Sequence, residues 1–111
     1  MDKNGILIRI YINENAHHGN KLMYKSVIEA SREHGLAGAT VFRGICGYQA
    51  GHEIHDSSLL RLSDDLPLLI EIVDTEERVN AFLPVLEGII DDGLITLERV
   101  SVFKMVNKKR V

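Results

Sequence analysis

The segment that decides the fold is residues 35–55, GLAGATVFRGICGYQAGHEIH. Gly35 is placed to end a helix, because glycine readily adopts the left-handed conformation with which many helices terminate. Ala39–Phe42 follows as a short strand rich in β-formers. The chain then passes Gly44 and Gly47 into a polar stretch, and glycines in a strand pattern mark a close approach by a ligand or another backbone. We therefore predict a functional loop on a rigid scaffold here.

Hydrophobic periodicity on either side of this segment predicts the order βαββαβ. Isoleucines at every second position predict the first strand, and an alternating leucine and isoleucine pattern predicts the third. Apolar residues at helical spacing predict one helix before the segment and one after the third strand. The predicted strands are 5–13, 39–42, 66–73 and 94–103, and the first helix is about 21–34.

The helix ends carry their own signals. Asn20 is predicted to cap the first helix. Asp74 is predicted to cap the second, with Glu77 three residues later completing a box-like pair. Pro84 lies inside the second helical pattern and predicts a kink or a restarted turn, and Gly93 is predicted to close that helix.

Two βαβ halves in this order predict an α+β fold, the ferredoxin-like sandwich, with an antiparallel four-stranded sheet and both helices on one face. Arg9 and Glu71 are expected to pair across neighbouring strands on the other face. That face is too apolar to remain in water as one patch, so we expect it to be buried by oligomerisation. Its predicted apolar members are Leu7, Tyr11, Leu69 and Val73.

Length and charge limit the classes of protein to consider. The 111 residues fit a single domain, 1–111, with its core at about 5–103. The formal net charge of −3 argues against a nucleic-acid binder. The tail, 104–111, carries +4, which leaves −7 on the rest. We interpret the tail as a solvated terminus; the alternative is a cationic arm that meets phosphates.

Cys46 is the single cysteine, so an intrachain disulfide is impossible and nothing indicates secretion. The sequence has no apolar run of the roughly 18 residues that a membrane span needs, and no signal-peptide pattern. We expect a cytoplasmic protein without direct membrane insertion.

No catalytic constellation is visible, and we expect no enzyme. Cys46, His52 and His55 offer a nucleophile and bases, but nothing in the sequence fixes their geometry. Phosphate-binding and dinucleotide fingerprints are missing. A metal site that uses His52 and His55 is the alternative function, although two histidines on a loop supply too few ligands alone.

The candidate ligand-binding residues lie at the loop entrance and on the last strand: Arg43, Gly44, Gly47, Tyr48, Arg99 and Lys104. The guanidinium group of Arg43 can form two hydrogen bonds to a phosphate, and the ring of Tyr48 can stack on a base. Arg99 and Lys104 are the cationic candidates from across a cleft. The structural alternative is a bulged strand whose Arg43 pairs with a carboxylate.

Three stretches together carry a family resemblance: 35–41 (GLAGATV), 43–48 (RGICGY) and 66–77 (LPLLIEIVDTEE). They resemble the small stand-alone PII-like proteins classed as a family of unknown function, over roughly residues 5–103. The resemblance implies a homotrimer that binds an effector, AMP, ADP, ATP or a cyclic nucleotide, in clefts between subunits. It also implies a mobile loop, about 48–58, that contacts a protein partner such as a transporter.

The sequence departs from the PII pattern before its last strand. PII proteins carry a glycine-aspartate-glycine-lysine turn there, whereas this chain has Asp91-Asp92-Gly93-Leu94, without the lysine. Two acidic residues at that place repel phosphate unless their side chains point away. A triphosphate site of the PII kind is therefore not expected, and a monophosphate, a cyclic nucleotide or another small anion stays open as the ligand.

Overall fold

The computed structural model describes residues 3–49, 55–56 and 66–106. Its elements, in chain order, are β1 (Lys3–Asn13), β2 (His17–His18), β3 (Lys21–Leu22), α1 (Met23–Glu33), β4 (Thr40–Arg43), β5 (Cys46–Gly47), β6 (His55–Asp56), β7 (Pro67–Thr75), α2 (Glu76–Ile89) and β8 (Leu94–Val102). The predicted βαββαβ order is confirmed by β1, α1, β4, β7, α2 and β8. The α+β, ferredoxin-like prediction is confirmed.

The main sheet has four strands in the order β4-β7-β1-β8, and every pairing is antiparallel. β1 lies in the interior of the sheet, with Ile8 opposite Ile72 on β7 and Leu97 on β8. β2 and β3 form a small separate hairpin, as do β5 and β6. The main sheet therefore fixes the positions from which the loops at both of its ends depart.

One core lies between the sheet and the two helices. The alternating isoleucines of β1 are the clearest case, because Ile8 and Ile10 are completely buried and Ile12 almost so. Period-two alternation places all of them on one sheet face, where the helical stripes cover them. The other core members come from β1, the helices, the segment after α1 and β7: Ile6, Met23, Val27, Ala30, Val79, Phe82, Leu86, Ile89, Leu36, Leu68, Ile70 and Ile72.

The opposite side of the sheet, called the open face below, combines apolar side chains with one ion-pair network. The predicted pair is confirmed, since Arg9 Nε donates to Glu71 Oε2 at 3.1 Å. Arg9 Nη1 also donates to Glu98 Oε1 at 2.9 Å, a contact the sequence did not indicate. The hydrogen bond to Glu71, more than that to Glu98, raises the pKa of Arg9 above its ordinary value. Arg9 thus remains a cation held between two carboxylates.

The start of α1 differs from the prediction. The helix begins at Met23, after the β2–β3 hairpin, and its N-cap residue is Leu22, which makes no side-chain cap. Asn20 is therefore not the cap. The Met23 N–H instead donates to Ala16 O at 2.8 Å, so the preceding loop satisfies that orphan donor. Gly35 does end the helical region with a φ of 75°, as predicted.

The predicted cap of α2 is also wrong. Thr75 is the N-cap, and its Oγ1 accepts from the Arg78 N–H at 3.3 Å. Asp74 lies one residue earlier, at the end of β7, and is completely buried. Its carboxylate accepts from the Ala37 N–H at 2.8 Å and from the Thr75 N–H at 2.7 Å. Asp74 therefore ties the segment after α1 to the start of α2.

Pro84 lies inside α2, which continues past it to Ile89 without a new start. A proline at this position removes the hydrogen bond to the carbonyl of Asn80. Both Asn80 and Pro84 are exposed, so water can satisfy that carbonyl. Of the two predicted alternatives, a kink or a restarted turn, the restarted turn is wrong.

The end of α2 also differs from the prediction. The C-cap is Ile90, whose N–H donates to Leu86 O at 2.8 Å, so Gly93 does not close the helix. Gly93 instead lies against β1, where a Cβ would come within 2.8 Å of Ile12 Cγ2 and 2.9 Å of Tyr11 O. A close approach to the neighbouring strand therefore explains this glycine.

Candidate functional site

The first group of candidate residues surrounds the place where β4 leaves the sheet. β4 ends at Arg43, and the chain continues to β5, which pairs with β6 through Cys46 opposite Asp56 and Gly47 opposite His55. This short hairpin is the base of the loop predicted at 48–58. Residues 50–54 and 57–58 of that loop lie outside the described residues.

Pro67 explains the two glycines at the loop base. The Gly44 N–H donates to Pro67 O at 2.8 Å. A Cβ placed on Gly44 would lie 2.9 Å from Pro67 Cγ, and one on Gly47 would lie 3.1 Å from the same atom. Both distances are shorter than ordinary contacts, so the glycines make room for the first residue of β7. The sequence predicted that a ligand or another backbone approaches these glycines closely, and the residue that does so is Pro67 of the same chain.

We expect Gly44→Ala to lower the free energy of unfolding by about 1–3 kcal/mol, the usual cost of overpacking. The new methyl meets the stiff Pro67 ring and the Pro67 carbonyl oxygen, at 2.9 and 3.3 Å. Denaturant unfolding measures the change. Gly88→Ala is the matched control: it lies in α2, its Cβ meets nothing within 4 Å, and it should stabilise by about 0.5–1 kcal/mol. A Gly44→Ala protein as stable as wild type contradicts the packing argument.

Arg43 is held by Glu14. Arg43 Nε and Nη2 both lie 3.1 Å from Glu14 Oε1. The Arg43 side chain is 50% exposed and that of Glu14 only 19%. Arg43 therefore makes the carboxylate pair of the structural alternative, while half of its side chain still faces solvent.

Three further side chains at the loop base face solvent. Tyr48 is 69% exposed, Ile45 is 76% exposed, and Cys46 is an exposed free thiol. Sequence reasoning selected Tyr48 but missed Ile45 and Glu14. Ile45 could have been selected from the sequence, because it is a large apolar residue directly after Gly44. Nothing in the sequence near Glu14 identifies it as a partner of Arg43.

The second group, called the C-terminal cations below, consists of Arg99 on β8 and Lys104, which lies two residues beyond the end of that strand. Arg99 Nη1 and Nη2 donate to the two carboxylate oxygens of Glu76 at 3.1 and 3.3 Å. These hydrogen bonds raise the pKa of Arg99. Lys104 is exposed just beyond β8, and residues 107–111 of the basic tail lie outside the described residues. Of the two C-terminal cations, Arg99 is already engaged by a carboxylate and Lys104 faces solvent.

The two groups lie at opposite ends of the sheet. Arg43 is in register with Leu68, which is opposite Ile12, whereas Arg99 is in register with Ile6. Six residues of β1 separate these rows, which is about 20 Å at 3.3–3.4 Å per residue. A single copy of the chain therefore does not bring Arg43 together with Arg99 or Lys104.

Metal ligands do not converge within the described part of the chain: no group of three or more His, Cys, Asp or Glu residues there is placed to hold an ion. His52 lies outside the described residues, and His55 is described only in its backbone pairing with Gly47. None of the described helices is long and apolar enough to cross a bilayer.

The family of the chain follows from a comparison with family models. The model "DUF190: Uncharacterized ACR, COG1993" matches residues 5–102. The chain belongs to the DUF190 family. A UPF0166 protein of Aquifex aeolicus (strain VF5) is 44% identical over 96 residues, which cover 86% of this chain and 90% of that protein. The resemblance stated from the sequence is thereby confirmed at family level.

Solved structures of PII-like proteins have the same fold as this DUF190 chain. A putative PII-like signaling protein from Thermus thermophilus superimposes with a TM-score of 0.66 at 17% identity, over 92% of this chain and 93% of that one. CPII, a nitrogen regulatory PII-like protein from Thiomonas intermedia K12 bound to ADP, AMP and bicarbonate, gives 0.62 at 17% identity, over 91% and 90%. At these identities the likeness establishes the fold.

Proposed function

We propose that this protein is a non-enzymatic, PII-like regulator that binds an adenine nucleotide in clefts between the subunits of a homotrimer. The phosphoryl group would contact Arg43 of one subunit and Arg99 and Lys104 of the next. The base would lie against the exposed side chains of the loop base, Ile45 and Tyr48.

The observation that carries this proposal is the separation of the cationic side chains. Arg43 and the pair Arg99 and Lys104 lie at opposite ends of the sheet, about six residues apart along β1. Phosphoryl groups are bound best where several cationic donors converge. Such convergence requires a second copy of the chain, which is the arrangement that a cleft between subunits provides.

The open face supports the trimer. Phe42 is 49% exposed, Leu94 56% and Tyr11 37%, and all three share that face by strand register. Leu69 lies directly between Phe42 and Tyr11 on the neighbouring strands. Apolar side chains clustered in this way on one surface are typical of an interaction site. A second and a third copy of the chain are the simplest occupants.

The effector class is supported by the fold relative and by the chemistry of Arg43. CPII was solved with ADP and AMP bound. A half-exposed guanidinium at the base of a loop suits a phosphoryl group, because its fork matches two phosphate oxygens. Because Arg43 directly precedes the loop base, a ligand there is placed to order the loop, about 48–58, for a protein partner.

Arg43→Ala is expected to weaken nucleotide binding tenfold to a hundredfold. The substitution removes a charge-assisted, bidentate contact worth roughly 1.5–3 kcal/mol, and 1.4 kcal/mol corresponds to a factor of ten. Isothermal titration calorimetry with AMP, ADP, ATP and cyclic AMP measures the affinity, and the wild-type arm tests the proposed function itself.

Arg32→Ala is the matched control, because Arg32 is an exposed arginine in the last turn of α1. Its nucleotide affinity should equal that of wild type. An Arg43→Ala protein that melts at a lower temperature but binds nucleotide normally would show that Arg43 serves contacts within the chain, such as the ion pair with Glu14, and not the ligand. Wild-type protein that binds none of the four nucleotides contradicts the proposed effector class.

A further inference from the structure

The donor edge of Arg43 is occupied by the chain's own carboxylate. Nε and Nη2 of Arg43 converge on Glu14 Oε1, each at 3.1 Å. These two nitrogens form one edge of the guanidinium fork, the edge that can bind carboxylate or phosphate with two parallel hydrogen bonds. An incoming oxyanion that uses this edge must therefore replace Glu14.

Glu14 is more shielded from solvent than Arg43. The Glu14 N–H donates to Leu66 O at 2.8 Å, which fixes its backbone between the end of β1 and the start of β7. Its side chain is 19% exposed, against 50% for Arg43. The carboxylate is thus anchored and partly shielded, while Arg43 is the partner that solvent and solutes can reach.

We propose that Glu14 is an internal competing anion: it occupies the Arg43 fork in the unliganded protein, and a nucleotide phosphoryl group binds by displacing it. This inference rests on the proposed function and adds a form of regulation to the same site. Glu14 lowers the affinity of every anion that uses the fork and so raises the nucleotide concentration at which the protein responds. The carboxylate of Glu14 is a competitor, not a ligand-positioning group.

The size of the effect follows from the exposure of the pair. An ion pair with one half-exposed partner has a modest strength, equivalent to a factor of about 1.5 to 5 in an equilibrium constant. Displacing it reduces nucleotide affinity by that factor. Removing the Glu14 charge also removes its repulsion of the bound phosphoryl group, which acts in the same direction.

Calorimetric titration with AMP and with ADP tests the proposal on the full chain. Glu14→Gln should bind both nucleotides about twofold to fivefold more tightly than wild type. Glu14→Ala should shift affinity in the same direction, and it covers the case in which the glutamine oxygen accepts the old hydrogen bond. Glu29→Gln is the matched control: it removes an equal charge from an exposed ion pair with Lys21 on another part of the surface, and it should change nothing.

The Arg43→Ala background shows whether Glu14 acts through Arg43. If Glu14 competes for that fork, Glu14→Gln should gain clearly less affinity once Arg43 is gone, because only the loss of its repulsion of the phosphoryl group then remains. An equal gain with and without Arg43 would reduce Glu14 to a source of general repulsion and overturn the proposal. Weaker or unchanged binding by both Glu14 variants while Arg43 is present overturns it as well.

The wild-type arm separates this inference from the proposed function. If wild type binds nucleotide and the Glu14 variants bind it no more tightly, the competitor proposal is contradicted and the proposed function is unaffected. If the Glu14 variants bind nucleotide and wild type does not, the result supports Glu14 as a competitor and contradicts the proposed nucleotide binding by the wild-type protein. If neither wild type nor the variants bind, both proposals are contradicted.

Discussion

Leu69→Lys is expected to convert a trimer into monomers. Multi-angle light scattering should report about three times the chain mass of 12.5 kDa for the wild type and about 12.5 kDa for the variant. Leu69 lies on the open face, in register with Tyr11 on β1 and Phe42 on β4. A lysine there places an unpaired charge in an apolar interface, which is strongly unfavourable.

Ala81→Lys is the matched control for Leu69→Lys. It adds the same charge to an exposed position on α2, on the other side of the sheet, and this variant should still form the trimer. Circular dichroism should show that Leu69→Lys keeps its secondary structure, because Leu69 is not part of the core under the helices. A wild-type monomer at micromolar concentration, or a Leu69→Lys trimer, contradicts the role of the open face.

Asp74→Ala is expected to lower the free energy of unfolding by about 3 kcal/mol, as judged from hydrogen bonds to charged groups at roughly 1.5–3 kcal/mol each. Asp74 is completely buried, and its two oxygens accept from the N–H groups of Ala37 and Thr75. Truncation leaves both donors without this acceptor. The relief of the buried carboxylate's desolvation cost offsets part of the loss, so the expected effect lies at the lower end of the sum.

Chemical denaturation measures this change, and Asp91→Ala is the matched control. Asp91 is exposed in the turn between α2 and β8, and its removal should cost less than about 0.5 kcal/mol. Asp74→Asn keeps one acceptor oxygen and should fall between Asp74→Ala and wild type. Equal stability of Asp74→Ala and Asp91→Ala would show that the buried carboxylate contributes no net stabilisation.

The sequence was sufficient for the fold because the decisive patterns are local and periodic. Isoleucines at every second position of β1 indicated both the strand and its buried face, and Gly35 indicated the end of the first helical region. The Arg9–Glu71 pair followed from the alternation of faces on two adjacent strands. These features depend on the period of the backbone, which the order of residues encodes directly.

The helix caps could not be predicted in the same way. Asn20 and Asp74 are residues with strong capping preferences, yet neither caps a helix here. Asp74 instead serves a contact with Ala37, which is 37 positions away in the chain. Tertiary partners of this kind override a local preference, and a single sequence carries no sign of them.

The candidate site residues were chosen from the sequence, which did not predict how they are arranged. Arg43, Gly44 and Gly47 were selected for ligand binding, and the structure gives each of them a partner within the chain, Glu14 or Pro67. The separation of Arg43 from Arg99 depends on strand order and register, which were fixed only by the folded sheet. The site residues therefore stand as the basis of the proposed function.

The placement of Arg43 and Arg99 at opposite ends of one sheet has a thermodynamic consequence. If a nucleotide bridges two chains through these residues, ligand binding and chain association become linked equilibria. Nucleotide then favours assembly, and assembly tightens nucleotide binding by the same factor. The apparent dissociation constant consequently falls as the protein becomes more concentrated, so the abundance of the protein sets its sensitivity to the effector.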